Sequence, residues 1–75
     1  MAEYRDIRMF TREGRHRGTA YMLTVWAVAG GKRFSLEEIA IDGLPPKKLR
    51  AGAQYDELEG AFEAGHEHAK ALIEG

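Results

Sequence analysis

His66 and His68, with Glu63 one turn earlier, are the residues whose types point to a metal centre. Residues two apart on a helix do not share a face, so the two histidines cannot close on one ion. Glu63 and His66 have the spacing of half a carboxylate-bridged di-metal site, but the other half needs carboxylates from further helices. The chain supplies one helix, so both histidines are expected on its solvated surface and no metal or other cofactor is expected. The hydroxyl candidates for nucleophilic catalysis are Thr11, Thr19, Thr24 and Ser35. None lies in a nucleophile elbow or can be assigned a His–acid pair. Gly30-Gly31-Lys32 lacks the other glycines and the Ser or Thr of a phosphate loop. With no cysteine, thiolate chemistry and cysteine-held zinc are excluded. The carboxylates are scattered rather than paired in apolar surroundings that would raise a pKa. The chain therefore reads as a protein without enzymatic activity.

The arginines carry the strongest functional signal. Arg8, Arg12, Arg15 and Arg17 cluster around a turn, and Lys32 and Arg33 stand at the next one. Arginines on a β-hairpin can contact phosphates, and a β-ribbon fits a major groove, so these six residues are the candidate polyanion contacts. The isoelectric point near 6.3 is well below that of typical nucleic-acid-binding domains. The overall charge of −1 conceals a division: residues 1–33 hold seven basic and three acidic residues, a net of +4, whereas residues 34–75 hold four and nine, a net of −5. That asymmetry fits a polyanion-binding face, or two halves of one small fold that attract each other.

What must position these residues is organised around Thr19–Ala29, TAYMLTVWAVA, the longest apolar run and rich in β-branched and aromatic residues. As a strand it puts Tyr21, Leu23, Val25 and Ala27 on one face and Ala20, Met22, Thr24, Trp26 and Val28 on the other. Both faces are apolar, so the second must be covered at least in part: either a loop of the same chain covers it, with Trp26 left partly exposed, or a partner chain does.

Upstream, Tyr4–Arg12 reads as an amphipathic edge strand with its arginines toward solvent. Glu13–Gly18 reads as a hairpin turn in which Gly14 takes positive φ. Gly30-Gly31 is a second turn. In Lys32–Asp42 the apolar phase switches between Phe34/Leu36 and Ile39/Ile41, which a strand bulged at Glu37–Glu38 would reconcile. The competing reading is a short helix, since Ser35 and Glu38 have capping-box spacing. Leu44–Ala53, with Pro45 and Pro46, is expected as a loop. Gln54–Glu74 is expected as a helix with an apolar stripe of Tyr55, Leu58, Phe62, Gly65, Ala69 and Leu72. Gly65 on that stripe predicts close approach to the sheet; Gly60 has no comparable reason.

The order of elements, with HRGTAYMLTVWAVAGGKRF, IAIDG and a closing Ala-rich helix, resembles small bacterial β-β-β-α proteins of the domain-of-unknown-function type. It also resembles the AP2-like DNA-binding domains, in which a three-stranded sheet reads DNA and a helix packs behind. Here Met22, Thr24 and Trp26 stand where that family's DNA-facing arginines would be.

The expected fold is α+β: one domain with a three-stranded antiparallel meander over residues 1–43, a Pro-containing loop over 44–53 and a helix over 54–74 on one sheet face. The helix stripe is expected to meet Leu23, Val25 and Ile7. No apolar run reaches the roughly 20 residues of a membrane span, and no signal peptide is seen in MAEYRDIR, so a cytoplasmic protein is expected. The face left uncovered, Phe10, Met22, Trp26 and Val28, is the candidate surface for a homodimer or another protein partner. The leading expectation is a protein–protein interaction module; the alternative is a nucleic-acid-binding module using the first hairpin.

Overall fold

The computed structural model describes residues 7–28, 33–49 and 54–75. Strands β1 (Ile7–His16), β2 (Thr19–Val28) and β3 (Phe34–Ile41) form an antiparallel meander, and helix α1 (Leu58–Glu74) lies across one face. The fold is the α+β arrangement that the sequence predicts. No described helix is long and apolar enough to cross a membrane.

The first hairpin turns on two residues, Arg17 at φ 54° and Gly18 at φ 79°. Positive φ at both central positions is the I′ geometry, whose twist matches that of the flanking strands. The turn thus sits later than the Glu13–Gly18 reading placed it, and Gly14 is a strand residue opposite Tyr21. The Tyr21 ring occupies the space beside Gly14, so that a Cβ there would lie 2.4 Å from it. Gly14 serves close approach, not a bend.

Between β2 and β3, Thr24 pairs with Glu38 and Val25 with Leu36, leaving Glu37 as the extra residue. This bulge restores phase, so Leu36, Ile39 and Ile41 are all buried on the helix side. The short-helix alternative for this segment is excluded. The carbonyl of Glu37 accepts the Leu49 N–H at 2.9 Å.

Two short strands that the sequence reading missed occupy the outer edge of β3. Strand β4 (Lys47–Lys48) pairs with Ile39 and Glu38, and β5 (Gln54–Tyr55) pairs with Ser35 and Phe34. The expected loop over 44–53 therefore contains a sheet segment. The helix begins at Leu58 rather than Gln54, because Gln54 and Tyr55 complete a ladder. The N-cap residue Glu57 has extended backbone and no side-chain capping bond to start the helix sooner.

The core lies between helix and sheet. Leu23, Val25 and Ile39 are fully buried against Ala61, Phe62 and Ala69. Gly65 faces Leu23 and Leu36 so closely that an added Cβ would lie 2.9 Å from the Leu23 Cδ1. The close approach predicted there is present. Of the expected sheet partners of the helix, the Ile7 side chain lies outside the described residues; from β1 it is Phe10 that packs against the core.

Candidate interaction surface

Register decides which side chains share the sheet face opposite α1. The two-residue turn pins His16 to Thr19, and the ladder then runs Arg12↔Leu23, Phe10↔Val25 and Met9↔Trp26. Residues directly opposite in an antiparallel pair share a face. Phe10 therefore belongs with Val25 on the helix side, where its ring meets Phe34 edge-on at 6.3 Å between centroids. This corrects its assignment to the uncovered face. The adjacent apolar residues Met9 and Phe10 left the strand phase undetermined until the turn fixed it. Met9, 64% exposed, stands beside Trp26, 40% exposed, in the place expected for Phe10. Met22 is half-buried four residues along β2. Val28 ends β2, and its side chain lies outside the described residues.

Beyond Met22 the face ends in a shallow groove bordered by Ala20, Ala40 and Leu44, with the carboxylates of Glu13 and Asp42 on its rim. Leu44 is 54% exposed. Met9, Trp26 and Leu44 are the large hydrophobic residues exposed among the described ones, and all three border this one face.

The basic residues are placed differently. Arg12 is on the helix side of β1, not directed away from the protein. It donates two hydrogen bonds to the Glu59 carboxylate, at 2.7 and 2.9 Å, and its guanidinium lies 4.2 Å from the Phe62 ring centroid. The hydrogen bonds from Arg12 hold the Glu59 carboxyl below the usual carboxylate range. At the hairpin tip, His16 Nε2 lies 2.6 Å from Glu74 and the Arg17 Nε 3.8 Å from it. The His16 hydrogen bond likewise lowers the Glu74 carboxyl. The last turn of α1 has no basic residue of its own; the hairpin supplies positive charge near that negative end of the helix dipole. Arg33 reaches Asp56 at 3.7 Å. Arg15 donates to the Gly18 carbonyl within the turn, at a long 3.5 Å. Arg8 is exposed on β1, and Lys32 lies outside the described residues. Three of the candidate polyanion contacts thus face acids of the C-terminal half.

The groups considered for chemistry are not assembled. Among the described residues no cluster of three or more His, Asp or Glu side chains could hold a metal ion. Ser35 donates to the Glu37 carboxylate within the bulge at 2.5 Å. His66 is not a simple solvated surface histidine: its Nδ1 shares a 2.7 Å hydrogen bond with the Tyr21 hydroxyl, and the two rings meet edge-on. Burial raises the Tyr21 pKa, with Glu67 adding to it, which keeps the hydroxyl protonated. The sequence carried no signal for this pair, since the residues are 45 apart and the space for the Tyr21 ring comes from Gly14.

No protein-family model, curated protein or solved structure matches this chain.

Proposed function

We propose that the protein is a non-enzymatic interaction module that works by surface contact and associates with itself through the sheet face opposite α1. The observation that carries this reading is the gathering of Met9, Trp26 and Leu44 along that face. Exposed apolar residues scattered singly are ordinary. Here the exposed Met9 and Trp26 are direct neighbours across the β1–β2 ladder, with Leu44 at the other end of the same face. An exposed aromatic residue beside a methionine is the composition of an interface core. The pairing of Arg12, Arg17 and Arg33 with Glu59, Glu74 and Asp56 supports it further, because these cations already answer carboxylates of the same chain. We place the protein in the cytoplasm, where a chain without cysteine loses nothing to a reducing environment.

Sedimentation velocity across a concentration series tests the reading. Association that rises with concentration and is abolished by Trp26→Asp is the expected result. A wild-type chain that stays monomeric at high micromolar concentration would overturn it.

A further inference from the structure

The groove at the end where β2 begins has a composition of its own. Glu13, Met22 and Ala40 stand directly opposite one another on β1, β2 and β3. One step toward the hairpin tip, Ala20 lies beside Asp42, whose N–H donates to the Ala20 carbonyl at 2.9 Å. The floor is thus two alanines and the half-buried Met22, with Leu44 at the edge.

The two rim carboxylates are unclaimed. Glu13 and Asp42 are exposed, and among the described residues neither side chain enters an ion pair or a hydrogen bond. Glu59, Glu74 and Asp56, by contrast, each meet an arginine of the same chain. No basic side chain among the described residues lines the groove. Arg15, opposite Ala20 on β1, donates instead to the Gly18 carbonyl.

Shape and spacing decide the occupant. The groove has a volume of about 430 Å³ but is shallow and open, so it does not enclose a free small molecule. An extended segment needs only to lay one side chain in it. Glu13 and Asp42 are two strands apart and offset by two residues. Strand spacing of about 4.8 Å and a rise of about 3.4 Å per residue put them roughly 12 Å apart across the floor. In an extended chain, residues four apart point the same way at a distance of about 13 Å, with one side chain midway between them.

We propose that the groove is a docking site for an extended segment of another protein, in which an apolar residue is flanked two positions away on each side by lysine or arginine. The apolar side chain lies over Ala20, Met22 and Ala40, and the two cations reach Glu13 and Asp42. Long basic side chains suit this rim, because their methylene stems cover apolar surface while the charge reaches the carboxylate. Both ion pairs are exposed, so binding is weak and sensitive to salt. This docking goes beyond self-association and does not depend on it, since Met9 and Trp26 stand at the other end of the face.

The blocked pentapeptide Lys-Thr-Leu-Thr-Lys is the probe and Glu-Thr-Leu-Thr-Glu its charge-reversed control, each titrated into isotope-labelled protein and followed by amide chemical shifts. Trp26→Asp is titrated beside the wild type, so that self-association does not mask the groove. The lysine peptide should shift the amides of Ala20, Met22, Ala40 and Asp42 saturably, and bind at least about tenfold more tightly than the control. Glu13→Gln combined with Asp42→Asn should weaken it by at least about fivefold, as should raising salt from about 0.05 to 0.5 M. Circular dichroism checks that the variants keep the fold. No saturable shifts, equal binding of the two peptides, shifts centred elsewhere, or an affinity unchanged in the double variant would overturn the docking site. Lysine-peptide binding at the groove by a wild-type chain that stays monomeric would remove the self-association reading and leave this one standing.

Discussion

Arg12 and Glu59, 47 residues apart in the chain, are joined by a bidentate ion pair that fastens β1 to the first turn of α1. A fork of two parallel N–H donors on one carboxylate is the most directional ion pair a protein surface offers. With His16 and Arg17 on Glu74, the hairpin grips the helix near both of its ends. The charge division of the sequence is thus resolved within one fold.

That grip makes stability depend on pH at the acid end. The Glu59 and Glu74 carboxyls are both lowered from the ordinary value of 4.5, chiefly by the hydrogen bonds from Arg12 and His16. A carboxyl lowered by folding contributes stability above its unfolded pKa and loses it as pH falls through the folded value. Urea midpoints measured between about pH 7 and pH 3 should therefore fall less in Glu59→Gln than in the wild type. An identical acid slope in the variant would show that the pair does not couple to folding.

The charge division was legible in the sequence, whereas its individual partners were not, because composition does not reveal which arginine faces which acid. The β3 bulge was legible because Phe34/Leu36 and Ile39/Ile41 are out of phase by one residue. The hairpin was misplaced because positive φ at a non-glycine residue, Arg17, leaves no mark in the sequence, while Gly14 invited the turn. Phe10 followed that error, since the turn sets the strand phase. Two-residue strands such as β4 and β5 are too short to show periodicity, and the helix was overextended into β5 for the same reason. Met22 and Trp26 do lie on the sheet face opposite α1, because the alternation of β2 was unambiguous.

Gly60 and Gly65 should respond oppositely to alanine. Each costs roughly 1 kcal/mol of helix propensity relative to Ala. At Gly60 the new Cβ meets only the Tyr55 Cβ at 4.0 Å, an ordinary contact, so Gly60→Ala should stabilise by up to about 1 kcal/mol. At Gly65 the Cβ lies 2.9 Å from the Leu23 Cδ1 and 3.1 Å from the Leu36 Cδ1, inside the core. Overpacking there costs about 1–3 kcal/mol and outweighs the propensity gain. Thermal melts of the two variants shifting in the same direction would contradict this packing.

Gly14 and Tyr21 form a second coupled pair. Tyr21→Phe removes the hydroxyl that His66 Nδ1 meets and should cost about 0.5–1.5 kcal/mol. In Gly14→Ala the Cβ displaces the Tyr21 ring, which it would otherwise touch at 2.4 Å, and the ring leaves its partner on the helix. Tyr21→Phe should then cost measurably less in the Gly14→Ala background than in the wild type. Additive costs in the double variant would separate the glycine from the hydrogen bond.

Phe62 is where the core and the ion pairs meet. It is 1% exposed, packs among the buried residues of β2 and β3, and offers its ring to the Arg12 guanidinium. Truncation to alanine should cost about 3–5 kcal/mol, against a total stability on the order of 4–11 kcal/mol for a chain of this size. Phe62→Leu separates the two roles, since it keeps most of the apolar volume and removes the ring. It should lose much less stability than Phe62→Ala, and Arg12→Met should then cost less than it does beside Phe62, because the guanidinium has no ring face left to lose. Equal costs of Arg12→Met in the two backgrounds would assign the whole of the arginine's contribution to Glu59.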